Sequence, residues 1–324
     1  GIRTSGARIL AVVTLMPGIQ GRNYRLPLAS DYHAIFKAQQ QLKGFIDSWK
    51  NRGQKGFSPL PDEPLPWIHG HRSIGSPRVY GMKIWGDLFS SRQNLALATI
   101  SKHINELPED SVARILTLAF SKLAELSNSL CPWEPFAECP RHVFARHDLP
   151  MAWDFAEGVP ISSSSGSFET CYENVSSSFN SIYLCKKNAT VQIADARQSM
   201  LPSASANIWF TDPPYYDAVA YSDLSDLFYV WIKRTIPTLA DGINFKNGLT
   251  PKEEELTVST VADIDAEPKD KAFFEQGISK AFFEGRRILN YNDIATVVFA
   301  HKTTEGWESL LSGAIQAGWT ITAS

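Results

Sequence analysis

The sequence is short of several features that would settle its class at once. Its 324 residues include four cysteines, Cys131, Cys139, Cys171 and Cys185, and no Cys-x-x-Cys pair. Zinc-ribbon spacing is therefore excluded and no disulfide framework is implied, so a reducing cytoplasm is the simplest setting. His69 and His71, and His142 and His147, lack a convincing set of partner ligands, so no metal site is expected. No signal-peptide pattern and no apolar run of membrane length occurs, which leaves no expectation of a membrane partner. Nor is there an excess of positive charge. Lys and Arg number 31 against 34 Asp and Glu, for a net charge of -3. Any nucleic acid must be met by a local patch.

What is present is a chain able to build a core, 44% hydrophobic, with length for two domains. A local basic patch exists in residues 1–60. Arg3, Arg8, Arg22, Arg25, Lys37, Lys43, Lys50, Arg52 and Lys55 stand against Asp31 and Asp47 alone. Such a run suits either phosphate contact or a solvated helix face. Ile9 to Leu15, a Pro17-Gly18 turn and Tyr24 to Leu26 predict a hairpin, and Ser30-Asp31 caps a helix to about Asn51. Residues 53–79 read as a Gly- and Pro-rich loop, and amphipathic helices are predicted near 90–106 and 109–128. Residues 131–150 read as irregular. The serine-rich stretch Ser162 to Ser167 marks a domain boundary, giving domains 1–165 and 166–324.

Past that boundary the pattern becomes α/β. A helix near 169–180 precedes two predicted strands, Ala189 to Ala194, ending at Asp195, and Asn207 to Thr211, ending at Asp212. An aromatic helix follows, with Leu224, Leu227, Phe228, Trp231 and Ile232 on one apolar face, then an acidic stretch from Leu249 to Asp265. A helix over 268–289, a strand over Ile294 to Ala300, a helix over 305–317 stopped by Gly318, and a strand from Trp319 to Ala323 complete the reading.

The most informative run is Asp212-Pro213-Pro214-Tyr215. An exocyclic amine on an aromatic ring is a poor nucleophile, because its lone pair is delocalised. A carboxylate can accept one of its N–H groups and the carbonyl of a proline the other, which turns the lone pair towards an electrophile. The prolines hold those acceptors in extended backbone. Tyr215 offers a flat face for an extruded base, worth about 1–3 kcal/mol. The same four residues also suit an ordinary turn after a strand.

The strand and motif resemble the signature of the amino-methyltransferases. The continuation from Tyr216 to Arg234, with Tyr80-Gly81-Met82, Trp85 to Phe89, Leu149 to Met151 and Trp153 to Glu157, resembles a prokaryotic family of adenine-specific DNA methylase-like proteins. That family has a large insertion and is often encoded near phage-defence genes. The resemblance implies a partial class I, Rossmann-like methyltransferase sheet with a mostly helical insertion, S-adenosylmethionine as cofactor, and double-stranded DNA with a flipped base as partner. A restriction or phage-defence context and partner subunits are further implications. Carried over, Asp212, Pro213, Pro214 and Tyr215 are catalytic, and Asp195, Ala196 and Asp212 bind the cofactor. Asp195 equally suits a helix N-cap for Ala196 onward. Tyr216, Asp217 and Tyr221 are candidates for contact with the base or its neighbours, and equally for loop packing. Arg22 and Arg25 are candidate DNA contacts.

The fold so implied has a glycine-rich loop of the Phe-x-Gly-x-Gly type, and none is found. Gly81, Gly166 and Gly306 are isolated. The expectation is a fragment of a longer enzyme, lacking two strands and inactive alone, with weak cofactor binding and a tendency to aggregate. Cytosine-N4, RNA or protein methylation, or a non-catalytic nucleic-acid-binding subunit, remain alternatives.

Overall fold

The computed structural model describes residues 7–16, 18–66, 75–108, 110–146, 148–182, 189–239, 248–259 and 269–323. Pro17, His69, His71, His147, Cys185 and residues 260–265 of the acidic stretch lie outside them. The described elements are mixed α and β, and the chain divides into two compact units. One comprises residues 1–67, 72–186 and 223–250, the other 68–71, 187–222 and 251–324. This grouping differs from a single cut at 165. The helix past the serine-rich loop and most of the aromatic helix fall in the first unit.

In the first unit, β1 (Val12–Thr14) and β2 (Asn23–Arg25) form the expected antiparallel hairpin, with Val13 opposite Tyr24. Helix α1 (Ala29–Asn51) follows, burying Ala38 and Leu42, four apart on one stripe. Its start is fixed by Asp31, which accepts the Leu28 N–H at 2.7 Å and pairs with both terminal nitrogens of Arg25 at 2.8 and 2.9 Å. Helix α2 spans Gly75–Val79, and α3 spans Ser91–Asn105. The latter opens with a full capping box. Ser90 Oγ accepts the Gln93 N–H, and Gln93 Oε1 accepts the Ser90 N–H. Helices α4 (Asp110–Leu126) and α5 (Phe168–Ile182) follow, with two-residue strands β3 (Trp133–Glu134) and β4 (Cys139–Pro140) between them. The buried thiols of Cys131 and Cys171 are pushed up to about 12 and about 11, chiefly by burial.

The aromatic helix, α6, spans Tyr221–Thr235. From Asp223 on it belongs to the first unit. Trp231 is fully buried, with the rings of Phe89 and Phe120 edge-on at 5.4 and 5.9 Å. At its end Lys233 and Arg234, side chains 2% and 4% exposed, share Glu63 Oε1 at 2.5 and 2.9 Å. Asp62 and the carbonyls of Ser58, Leu60 and Val230 take the rest of the Arg234 guanidinium. Burial holds the Lys233 ammonium below its usual pKa despite Glu63.

The second unit holds a parallel pair, β5 (Ala206–Thr211) and β6 (Leu289–Val297), with Ile208 opposite Ile294 and Phe210 opposite Thr296. Helices α7 (Lys271–Ile288) and α8 (Thr304–Gln316) lie beside it. Phe274, Ile278, Phe282, Leu310 and Ala317 form the core, with Trp209 and Trp319 packed against it. A Cβ at Gly285 would sit 2.3 Å from the Trp209 indole, so this position requires glycine. A two-stranded sheet is the largest among the described residues, and a Rossmann-like sheet is not shown. The stretch Ala189 to Ala194 forms no strand, contrary to its composition. Val191 and Ile193 are 93% and 100% exposed, with no neighbouring strand among the described residues to complete a ladder. Trp319 to Ala323 likewise forms none, and Trp319 instead stacks on Trp209 at 5.6 Å. Among the described residues no helix is long and apolar enough to cross a membrane.

Candidate functional site

The motif leaves the carboxyl end of β5, the position where open α/β sheets present their binding residues. The ladder runs one step further, with the Val298 N–H donating to the Thr211 carbonyl at 2.8 Å. Asp212 follows with its side chain exposed, and Pro213 is buried. Among the described residues no donor occupies the Pro213 carbonyl. The Tyr216 N–H turns back to the Pro214 carbonyl at 3.0 Å, and the Ala218 N–H to that of Tyr215 at 2.9 Å.

Tyr216 has φ +54, in the left-handed region that a bulky residue rarely enters. The conformation separates two consecutive tyrosines. Tyr215 is half-buried, its ring edge-on to Phe299 at 5.5 Å, and the Asp212 carboxylate beside it raises its pKa. Tyr216 is buried. Its hydroxyl donates to Glu305 Oε1 at 3.0 Å, its carbonyl accepts the Val258 N–H at 2.9 Å, and its ring meets Phe274 at 5.1 Å and His301 at 5.6 Å. Burial, then Glu305, pushes its hydroxyl up to about 12. Tyr216 is thus packed within the second unit. Tyr221 is 42% exposed, and its pKa is raised by partial burial and then by the charges of Asp212 and Glu255.

Asp217 is held from β6. His301 lies four residues past the end of that strand, with its side chain 2% exposed, and its Nε2 is 2.9 Å from Asp217 Oδ1. The Thr303 N–H donates to His301 Nδ1 at 3.2 Å. A ring nitrogen that accepts a hydrogen bond carries no proton, so the neutral ring's hydrogen sits on Nε2 and points at Asp217. Trp307 Nε1 donates to the His301 carbonyl at 3.0 Å, and its ring is edge-on to Phe299 at 5.2 Å. Tyr215, Phe299 and Trp307 therefore form an aromatic row beside Asp212.

Phe299, His301, Glu305 and Trp307 were not singled out in the sequence. Their signal is the rule that located Asp212. Residues just past a parallel strand belong to the same end of the sheet, and β6 neighbours β5. A strand extended to Ala300 hides that signal.

Asp195 and Ala196 are placed differently from expectation. Asp195 follows no strand and caps no helix. It forms a turn in which its Oδ1 accepts the Arg197 N–H at 2.8 Å and its carbonyl the Gln198 N–H at 2.9 Å. The Arg197 guanidinium engages both carboxylate oxygens at 2.8–3.0 Å and also bonds Glu254. Arg197 thereby lowers the pKa of Asp195, and its own is raised. Ala196 is exposed. The surface includes two depressions. One of about 250 Å³ is bounded by Arg197, Lys280, Phe283 and Glu284, and one of about 430 Å³ by Ile100, Leu116, Phe168 and Tyr172.

In the basic segment, Arg22 donates to the Glu138 carbonyl at 3.3 Å, and Arg25 is committed to Asp31. Lys37, Lys43 and Lys50 are exposed along α1. Among the described residues no group of three or more His, Cys, Asp or Glu is arranged to hold a metal. Comparison with family models, with curated proteins and with solved structures gives no match for the chain.

Proposed function

We propose that this chain carries the catalytic motif of an S-adenosylmethionine-dependent amino-methyltransferase acting on DNA, with the adenine N6 amine as its target. The observation that carries the reading is Asp212, exposed at the carboxyl end of a strand in a parallel pair, with Pro213 behind it and an aromatic row beside it. Asp212 accepts one N–H of the amine and the Pro213 carbonyl the other. The ring of Tyr215 then stacks on the extruded base, with Phe299 supporting its edge. S-adenosylmethionine, when bound, supplies the methyl group. Duplex DNA is the proposed partner, with the exposed lysines of α1 as phosphate contacts in preference to the committed Arg25.

The test is transfer of label from S-adenosylmethionine to unmethylated DNA by the protein expressed from its full reading frame, beside Asp212→Ala. Label recovered as N6-methyladenine and lost in the variant supports the reading. Measurable donor binding without transfer to DNA moves it to an RNA or protein substrate.

A further inference from the structure

His301 is the most tightly specified side chain near the motif that the proposed chemistry does not use. It is buried, both ring nitrogens are bonded, and a Cβ at position 306 would come 2.3 Å from its Nδ1, so Gly306 leaves room for the ring. With both nitrogens engaged, the ring offers none free to act as a base. What it does hold is Asp217, five residues after Asp212. A second tie, Tyr216 to Glu305, joins the same loop to α8. Between the two ties and the prolines lies a backbone strained at Tyr216. Strained backbone persists where its surroundings over-determine it, and such strain gathers at functional sites. The ties come from the segment after β6, so the acceptor geometry of one strand end is set by its parallel neighbour.

We infer that His301 is a positioning residue for the Asp212–Tyr215 motif, acting through Asp217 to hold the loop in its left-handed turn. This rests on the proposed amine-methylating reading of the motif. Displacement of a reacting geometry by about 1 Å costs about a hundredfold in rate, so a loosened loop shows itself in kcat before KM.

The experiment compares three variants of the protein expressed from its full reading frame. His301→Phe keeps the ring and removes both hydrogen bonds. His301→Gln keeps an N–H donor near Nε2. Asp217→Ala breaks the tie from an exposed position that does not threaten folding. Hydrogen exchange is read at the amides of Tyr216 and Ala218, with Ile278 in α7 as the control for the fold. His301→Phe and Asp217→Ala are expected to lose about tenfold in protection at the two loop amides while Ile278 is unchanged, and His301→Gln to stay close to wild type. In the methyl-transfer assay the first two lose about tenfold to a hundredfold in kcat with KM little changed, and His301→Gln recovers most of it. Loop protection and kcat at wild-type levels in His301→Phe and Asp217→Ala overturn the inference. If the wild type transfers no methyl group, the proposed function fails, and the exchange measurement alone decides whether His301 holds the loop.

Discussion

Arg25, a candidate nucleic-acid contact, is paired with Asp31 at the start of α1. Two charge-assisted bonds and the Leu28 N–H hold the Asp31 carboxyl at about 2, well below the usual carboxylate range, with Arg25 as the larger cause. The folded pKa is depressed, so the stabilisation is present above the unfolded value near 4 and is lost as the pH falls from about 4 towards 2. The thermal midpoint of Asp31→Asn is expected to fall less steeply than that of the wild type across that window. Parallel pH profiles for the two proteins would contradict the pairing. At the same scale, Asp212 and its prolines were legible in the sequence because their chemistry is local. His301 was not, because its meaning depends on Asp217, 84 residues away.

Among the elements, two predictions separate competing effects. Gly285 lies in the interior of α7, where alanine is favoured over glycine by about 1 kcal/mol. The Trp209 ring stands 2.3 Å from where the new methyl would go, and overpacking costs about 1–3 kcal/mol. Gly285→Ala is therefore expected to lower the denaturation midpoint, and a raised midpoint would mean that α7 does not press on β5 at this residue. At the end of α6, Glu63 and Asp62 both meet Arg234, but their side chains are 7% and 58% exposed. Removing the buried partner leaves Lys233 and Arg234 short of a counter-charge, at a cost of about 3–5 kcal/mol, against less than about 1 kcal/mol for the exposed one. Denaturant titration of Glu63→Ala and Asp62→Ala reads that difference directly. Equal losses would contradict it. Helices and hairpin were readable from periodicity, as α3 shows, while the start of α1 falls at Ala29, ahead of the Ser30-Asp31 expected to cap it. The stretch Ala189 to Ala194 was not, since strand propensity counts only where a partner strand completes the ladder.

At the scale of the whole molecule, the parallel pair carries a bare face. Ile208, Phe210 and Ile294 are 75%, 66% and 74% exposed, whereas parallel sheets are ordinarily covered on both sides. Such a patch binds hydrophobic dyes and promotes association. Replacing Phe210 by Lys is expected to lower the binding of anilinonaphthalene sulfonate and to raise the concentration at which the protein stays in solution. Unchanged dye binding would show that the face is covered in solution.

The account turns on the Asp212 carboxylate as the acceptor that readies an aromatic amine. The most direct test is transfer of labelled methyl groups from S-adenosylmethionine to unmethylated DNA by the protein expressed from its full reading frame and by its Asp212→Ala variant. The account predicts label in N6-methyladenine for the wild type, with a loss of about a hundredfold or more in the variant. Equal transfer by both proteins would contradict it.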